Sequence, residues 1–171
     1  MKLNIRRIMD VPSGTMPFSF ALDVSDLDFP QIVYKRGPFG VNGSVKNVAG
    51  AIELHGEMEI DMTCICDRCL KQYEVKRSLP VRAYLADTLQ DEENPDIFLL
   101  EGDEVDLDEV FNTAFVLNMD SKFVCSEECK GLCPICGDDL NDGPCGCGKE
   151  IDSRLAVLQQ LLDEDDKDPQ E

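Results

Sequence analysis

The sequence predicts an α+β fold: an antiparallel β-rich N-terminal domain covered by a helix, then a cysteine-rich knuckle module and a short C-terminal helix. Three observations carry that reading. Apolar and polar residues alternate through most of residues 1–90, the period of half-buried strands. After Asp106 the apolar spacing changes to that of a helix. Six of the nine cysteines then fall between Cys125 and Cys147.

The β-rich domain is expected over residues 1–90. Leu3 and Ile5 suggest a first short strand, and Phe18, Phe20, Leu22 and Val24 a second; Asp26 to Pro30 reads as a loop. A hairpin follows between Gly37 and Met62. Phe39, Val41, Gly43 and Val45 share one parity, Asn47-Val48-Ala49-Gly50 supplies the turn, and Ile52, Leu54, Gly56, Met58, Ile60 and Met62 return on one face. Glu53, His55, Glu57, Glu59 and Asp61 take the other face, so the lone histidine points outward among acids. The inner parity runs on to Cys64, expected as a small core residue. Tyr73, Val75, Leu79, Val81, Ala83 and Leu85 extend the pattern, with Pro80 marking an edge or a bulge.

Residues 91–104 read as an acidic loop. Over residues 105–120 a helix is expected to pack on the sheet: Asp106 caps it, Glu109 completes a capping box, and Leu107, Val110, Phe111, Ala114, Phe115 and Leu117 form its apolar stripe. The cysteine-rich module occupies 121–150. The last helix and an acidic tail fill 151–171, with Leu155, Leu158, Leu161 and Leu162 at helical spacing.

The chain has 171 residues and a formal charge of −19. Such a field repels phosphate backbones and attracts basic proteins. Acids crowd from Asp91 to Glu109 without a single Lys or Arg, forming either a solvated loop or a docking surface for something basic. No run reaches membrane-spanning length. The opening Met-Lys-Leu-Asn-Ile-Arg-Arg-Ile does not read as a signal peptide, so a cytoplasmic location with reduced thiols is expected.

Reduced cysteines in pairs suit a metal. Cys133-Pro134-Ile135-Cys136-Gly137 is the sharpest signal, because two thiolates three apart on a tight turn chelate one tetrahedral ion, and Gly137 permits the left-handed backbone where the chain leaves it. Cys66 and Cys69 form a second such pair, Cys125 and Cys129 a third, and Cys145 and Cys147 a fourth. Zinc is the expected cofactor, as one or two ions. One partition joins Cys133, Cys136, Cys145 and Cys147 in one site and Cys66, Cys69, Cys125 and Cys129 in the other. A rival joins the two Cys-x-x-Cys turns to each other. Redox use of these pairs lacks the βαβ setting it needs.

Arg68, Lys71, Lys76, Arg77 and Arg82 make one locally basic stretch. Arg68, Lys71, Arg77 and Arg82 are therefore candidate RNA contacts, against the alternative of ordinary surface charge. No phosphate loop, nucleophile elbow or histidine near a thiol pair argues for an enzyme.

The chain carries, in order, Gly43-Ser44-Val45-Lys46-Asn47-Val48-Ala49-Gly50, Cys66-Asp67-Arg68-Cys69-Leu70, Val105-Asp106-Leu107-Asp108-Glu109, the run from Cys125 to Gly137, Leu140-Asn141, Cys145-Gly146-Cys147 and Asp152-Ser153-Arg154-Leu155. In this order of motifs it resembles the YceD-like family of large ribosomal RNA subunit accumulation proteins. The resemblance implies a non-enzymatic role in 23S ribosomal RNA accumulation or large-subunit assembly. The expected partner is a large-subunit component, in the form of a basic ribosomal protein or a pre-ribosomal particle; direct RNA binding through residues 68–82 is the alternative.

Overall fold

The computed structural model describes residues 1–88 and 94–148, which form two compact units, Met1–Cys129 and a second beginning at Lys130. The expected helix from Asp152 lies outside the described residues. The boundary divides the expected cysteine-rich module: Cys125 and Cys129 belong with the sheet, and the later four thiols stand in the second unit.

The first unit is built from β1 (Lys2–Asn4), α1 (Arg6–Met9), β2 (Thr15–Leu22), β3 (Ile32–Lys35), β4 (Phe39–Val48), β5 (Ala51–Ile65), β6 (Gln72–Ala86), β7 (Ile97–Leu99), β8 (Glu104–Asp106) and α2 (Leu107–Leu117). Its main sheet has the order β2-β4-β5-β6-β7, with β3 paired to β5 beyond the end of β4. All pairings are antiparallel except that of β6 with β7, and β1 and β8 make a separate two-stranded ribbon.

The long hairpin follows the alternation that the sequence shows. Phe39, Val41, Val45, Leu54, Met58, Ile60, Met62 and Cys64 all face the core and are buried. The strands run further than expected, to the Val48↔Ala51 pair, so the turn itself is only Ala49 and Gly50, both at positive φ (54° and 98°). Two positive φ values match the strand twist. Asn47, the one buried polar side chain among the described residues, holds this corner. Its Oδ1 accepts from the Gly50 amide, and its Nδ2 donates to the carbonyls of Ile8 and Met9.

α2 covers the inner face. Asp106 caps it by accepting from the Asp108 amide. Phe111 meets Phe18 and Phe20 edge-on, at centroid distances of 5.9 and 5.8 Å, and Phe115 packs on Phe29 and Phe39. Gly43 and Gly56 stand opposite each other in the β4–β5 register beneath these rings. A Cβ on Gly56 would lie 2.6 Å from Cζ of Phe111, and one on Gly43 would lie 2.5 Å from Cζ of Phe18. The glycine pair makes room for the aromatic layer.

Pro80 keeps its place opposite Glu57 in an unbroken register, so it marks an edge and not a bulge. From Gln72 to Ala83, β6 has no strand on its far side among the described residues. Pro17 sits likewise on the outer strand β2. In the stretch expected to be an acidic loop, Ile97–Leu99 joins the sheet, and Glu101 and Asp103 pair with Lys2 and Arg6.

Candidate metal centres

β5 and β6 run past the covered sheet and end in the turn Cys66-Asp67-Arg68-Cys69-Leu70. The Cys66 amide donates to the Lys71 carbonyl, the Leu70 amide to the Cys66 carbonyl, and the Arg68 amide to Cys66 Sγ at 3.4 Å. Leu70 takes φ 59°, a left-handed conformation unusual for a branched side chain.

In the second unit Cys133-Pro134-Ile135-Cys136-Gly137 repeats every bond. Cys133 donates to Asp138, Gly137 donates back to Cys133, and the Ile135 amide points at Cys133 Sγ, again at 3.4 Å. Here the left-handed position, at φ 77°, is a glycine.

Each turn meets a second pair of thiols. Cys66, Cys69, Cys125 and Cys129 form one group and Cys133, Cys136, Cys145 and Cys147 another; within each, the sulfurs lie within 4.8 Å of one another. In the first group Cys66 Sγ is 3.8 Å from Cys129 Sγ, and Cys69 Sγ is 3.7 Å from Cys125 Sγ. A tetrahedral ion with metal–sulfur bonds of about 2.3 Å sets its sulfurs about 3.8 Å apart. Disulfide sulfurs would be bonded at about 2.05 Å. The donor set therefore fits a tetrahedral thiophilic ion, and the two complete groups leave only Cys64, buried in the core, outside them.

The thiols in each group are unequal. Burial opposes the Cys66 thiolate, yet the amides of Cys125, Cys69 and Arg68 bring its pKa down to about 6. The amides of Cys136 and Ile135 bring Cys133 down to about 6 as well. Shared hydrogen bonding with Cys129, then burial, pushes Cys125 up to about 12. At Cys136 the Asp138 amide favours the thiolate, but the Asp138 carboxylate and burial outweigh it and raise the thiol to about 12. Each group holds one ready thiolate beside a thiol whose proton a cation would displace.

The two residues inside the first turn tie its halves together. Asp67 donates its amide to the Phe123 carbonyl and accepts the Phe123 amide on Oδ2, both at 2.7 Å. Arg68 donates to the carbonyls of Glu127 and Cys129. Arg77 is also committed, to Asp120 and to the carbonyl of Asn118 at the end of α2. Lys71 is engaged too. Of the four candidate RNA contacts, Arg82 stands exposed on the outer face of β6, with no ion pair among the described residues. Sequence spacing gives no sign of these tasks, because every acceptor used by Arg68 and Arg77 lies more than 40 residues away. His55 bonds Glu53 at 3.0 Å on the outer face.

A family model described as large ribosomal RNA subunit accumulation protein YceD matches residues 54–162, a stretch that contains all eight clustered thiols. Uncharacterized proteins of Mycobacterium bovis and Mycobacterium tuberculosis are 27% identical over 122 residues, covering 69% of this chain. The chain spans 59% of the length of these curated relatives. No solved structure matches. With more than half of its length matched, the chain belongs to the YceD family of large ribosomal RNA subunit accumulation proteins.

Proposed function

We infer that this protein is a non-enzymatic, zinc-holding factor for 23S ribosomal RNA accumulation and large-subunit assembly, acting in the cytoplasm by binding a basic ribosomal protein or a pre-ribosomal particle. Family membership supplies the process. The observation that carries the mode of action is the charge: −19 overall, with Glu57 and Glu59 exposed on the uncovered face of β5. Such a surface complements basic proteins and speeds their encounter. Zinc is the ion that the eight thiolates suit, and its task is structural, since four sulfurs close each site and leave no position for a substrate. A lone histidine bonded to Glu53 on an open strand face supports a non-enzymatic reading.

The test is affinity purification of the tagged chain from cells at low and moderate salt, together with 23S RNA levels after its depletion. Large-subunit proteins in the eluate and a fall in 23S RNA are expected. An eluate without ribosomal components at either salt overturns the reading.

A further inference from the structure

The outer face of the sheet, opposite α2, divides along its length. Across β4, β5 and β6 the register sets Ser44, His55 and Arg82 in one row and Lys46, Glu53 and Tyr84 in the next. Rows on one face are about 7 Å apart and neighbouring strands about 4.8 Å, so the six side chains share one small field. Lys46 and Arg82 are exposed and form no ion pair among the described residues. Glu53 is occupied by His55. Tyr84 presents its ring to solvent, 51% exposed, beside Arg82. Further along the same face stand Glu57, Glu59 and Asp61, where the cations Arg36 and Lys76 are paired to Asp61.

We propose that the field around Lys46, Arg82 and Tyr84 is a contact site for single-stranded RNA, with a base stacked on the Tyr84 ring and the flanking phosphates on the two unpaired cations. An open ring beside two cations on an exposed sheet face is how sequence-tolerant single-strand recognition is built, and here the cations outnumber the one carboxylate between them, Glu53, which is bonded to His55. His55 stands between Ser44 and Arg82 in their row, Ser44 is next to Lys46 along β4, and both add hydrogen-bonding capacity to base edges or ribose hydroxyls. The acidic rows beyond repel any strand that strays from the field, so the contact is confined to a few nucleotides despite the net negative charge. The site lies on a different face from the committed Arg68 and Arg77, and it rests on the ribosomal reading only for the identity of the RNA.

The test uses the zinc-loaded full chain and fluorescence anisotropy with a labelled single-stranded RNA about 12 nucleotides long, its duplex, and a Lys/Arg-rich peptide, between about 50 and 200 mM salt. Binding of the single strand over the duplex is expected. Tyr84→Ala and the double variant Lys46→Ala/Arg82→Ala should each weaken it about tenfold or more, whereas Arg7→Ala, on α1 away from this face, should not. All are surface changes, and an unchanged melting temperature checks the fold. No binding across the salt range, equal weakening by Arg7→Ala, a preference for the duplex, or binding of the basic peptide alone overturns the proposal. Co-purification with large-subunit proteins, measured on the Tyr84→Ala variant, reads the assembly role separately: its persistence without RNA binding shows that the two stand apart.

Discussion

The turns at residues 66–70 and 133–137 have the same two backbone bonds, the same amide-to-sulfur bond and the same left-handed fifth residue, yet they sit in opposite surroundings. The first closes the end of a long hairpin: Cys66, Cys69 and Cys129 are buried, and Asp67 and Arg68 bind the neighbouring segment. In the second unit Cys133 is the one buried apolar side chain among the described residues. A Cys-x-x-Cys sequence thus dictates the local turn wherever it stands. What differs is how much of the fold would survive without an ion.

The contrast is tested most severely by removing metal. Chelator, or Cys136→Ser, should unfold the second unit and leave the sheet intact, because a structural zinc site supplies on the order of 10 kcal/mol and the described residues of that unit bury no apolar side chain besides Cys133. Amide exchange resolved by residue reads this directly: fast exchange over residues 130–148 with protected β4 and β5 is expected, and protection throughout breaks the comparison.

Arg68→Ala should destabilise the first unit by about 2 to 3 kcal/mol, since it strips charge-assisted bonds from two carbonyls beside the cluster. Zinc retention against a competing chelator should fall at that site alone. Gly56→Ala probes the same unit from its core: the added methyl meets Phe111 and should lower the urea midpoint by the equivalent of about 1 to 3 kcal/mol, with both ions still bound.

The smallest effects separate the two turns most finely. Gly137→Ala places a side chain at φ 77° and should cost about 1 kcal/mol of second-unit stability. Leu70→Gly relieves comparable strain but loosens the unfolded chain, so its net change should stay below about 1 kcal/mol. Thermal melts of zinc-loaded variants measure both.

The sequence revealed what depends on period and spacing. β4 and β5 were legible because one face is buried along nearly their whole length, and α2 because its stripe begins at a capping aspartate. β3 was not, since a register shift between Ile32 and Tyr34 breaks the alternation and leaves Val33 and Tyr34 exposed. Ile97–Leu99 was hidden among acids, and its place in the sheet depends on pairing with β6. The four thiol pairs followed from spacing, but their partition stayed open between two schemes until the fold brought Cys66 and Cys69 to Cys125 and Cys129, and Cys133 and Cys136 to Cys145 and Cys147. The occupations of Arg68 and Arg77 did not, and neither did the left-handed Leu70, where spacing alone would favour glycine.

The first cluster also has a consequence in the language of polymers. Cys66 and Cys129 stand 63 residues apart, with β6, β7, β8 and α2 strung between them. An ion held by both makes that stretch a ring. A permanent link of this span would remove about 4 kcal/mol worth of disorder from the unfolded chain, against about 3 kcal/mol for the short loop from Cys133 to Cys147. A zinc ion retained through unfolding would therefore act at a distance, holding the helix near its sheet even while neither is formed, and refolding would begin from a chain already tied at its waist.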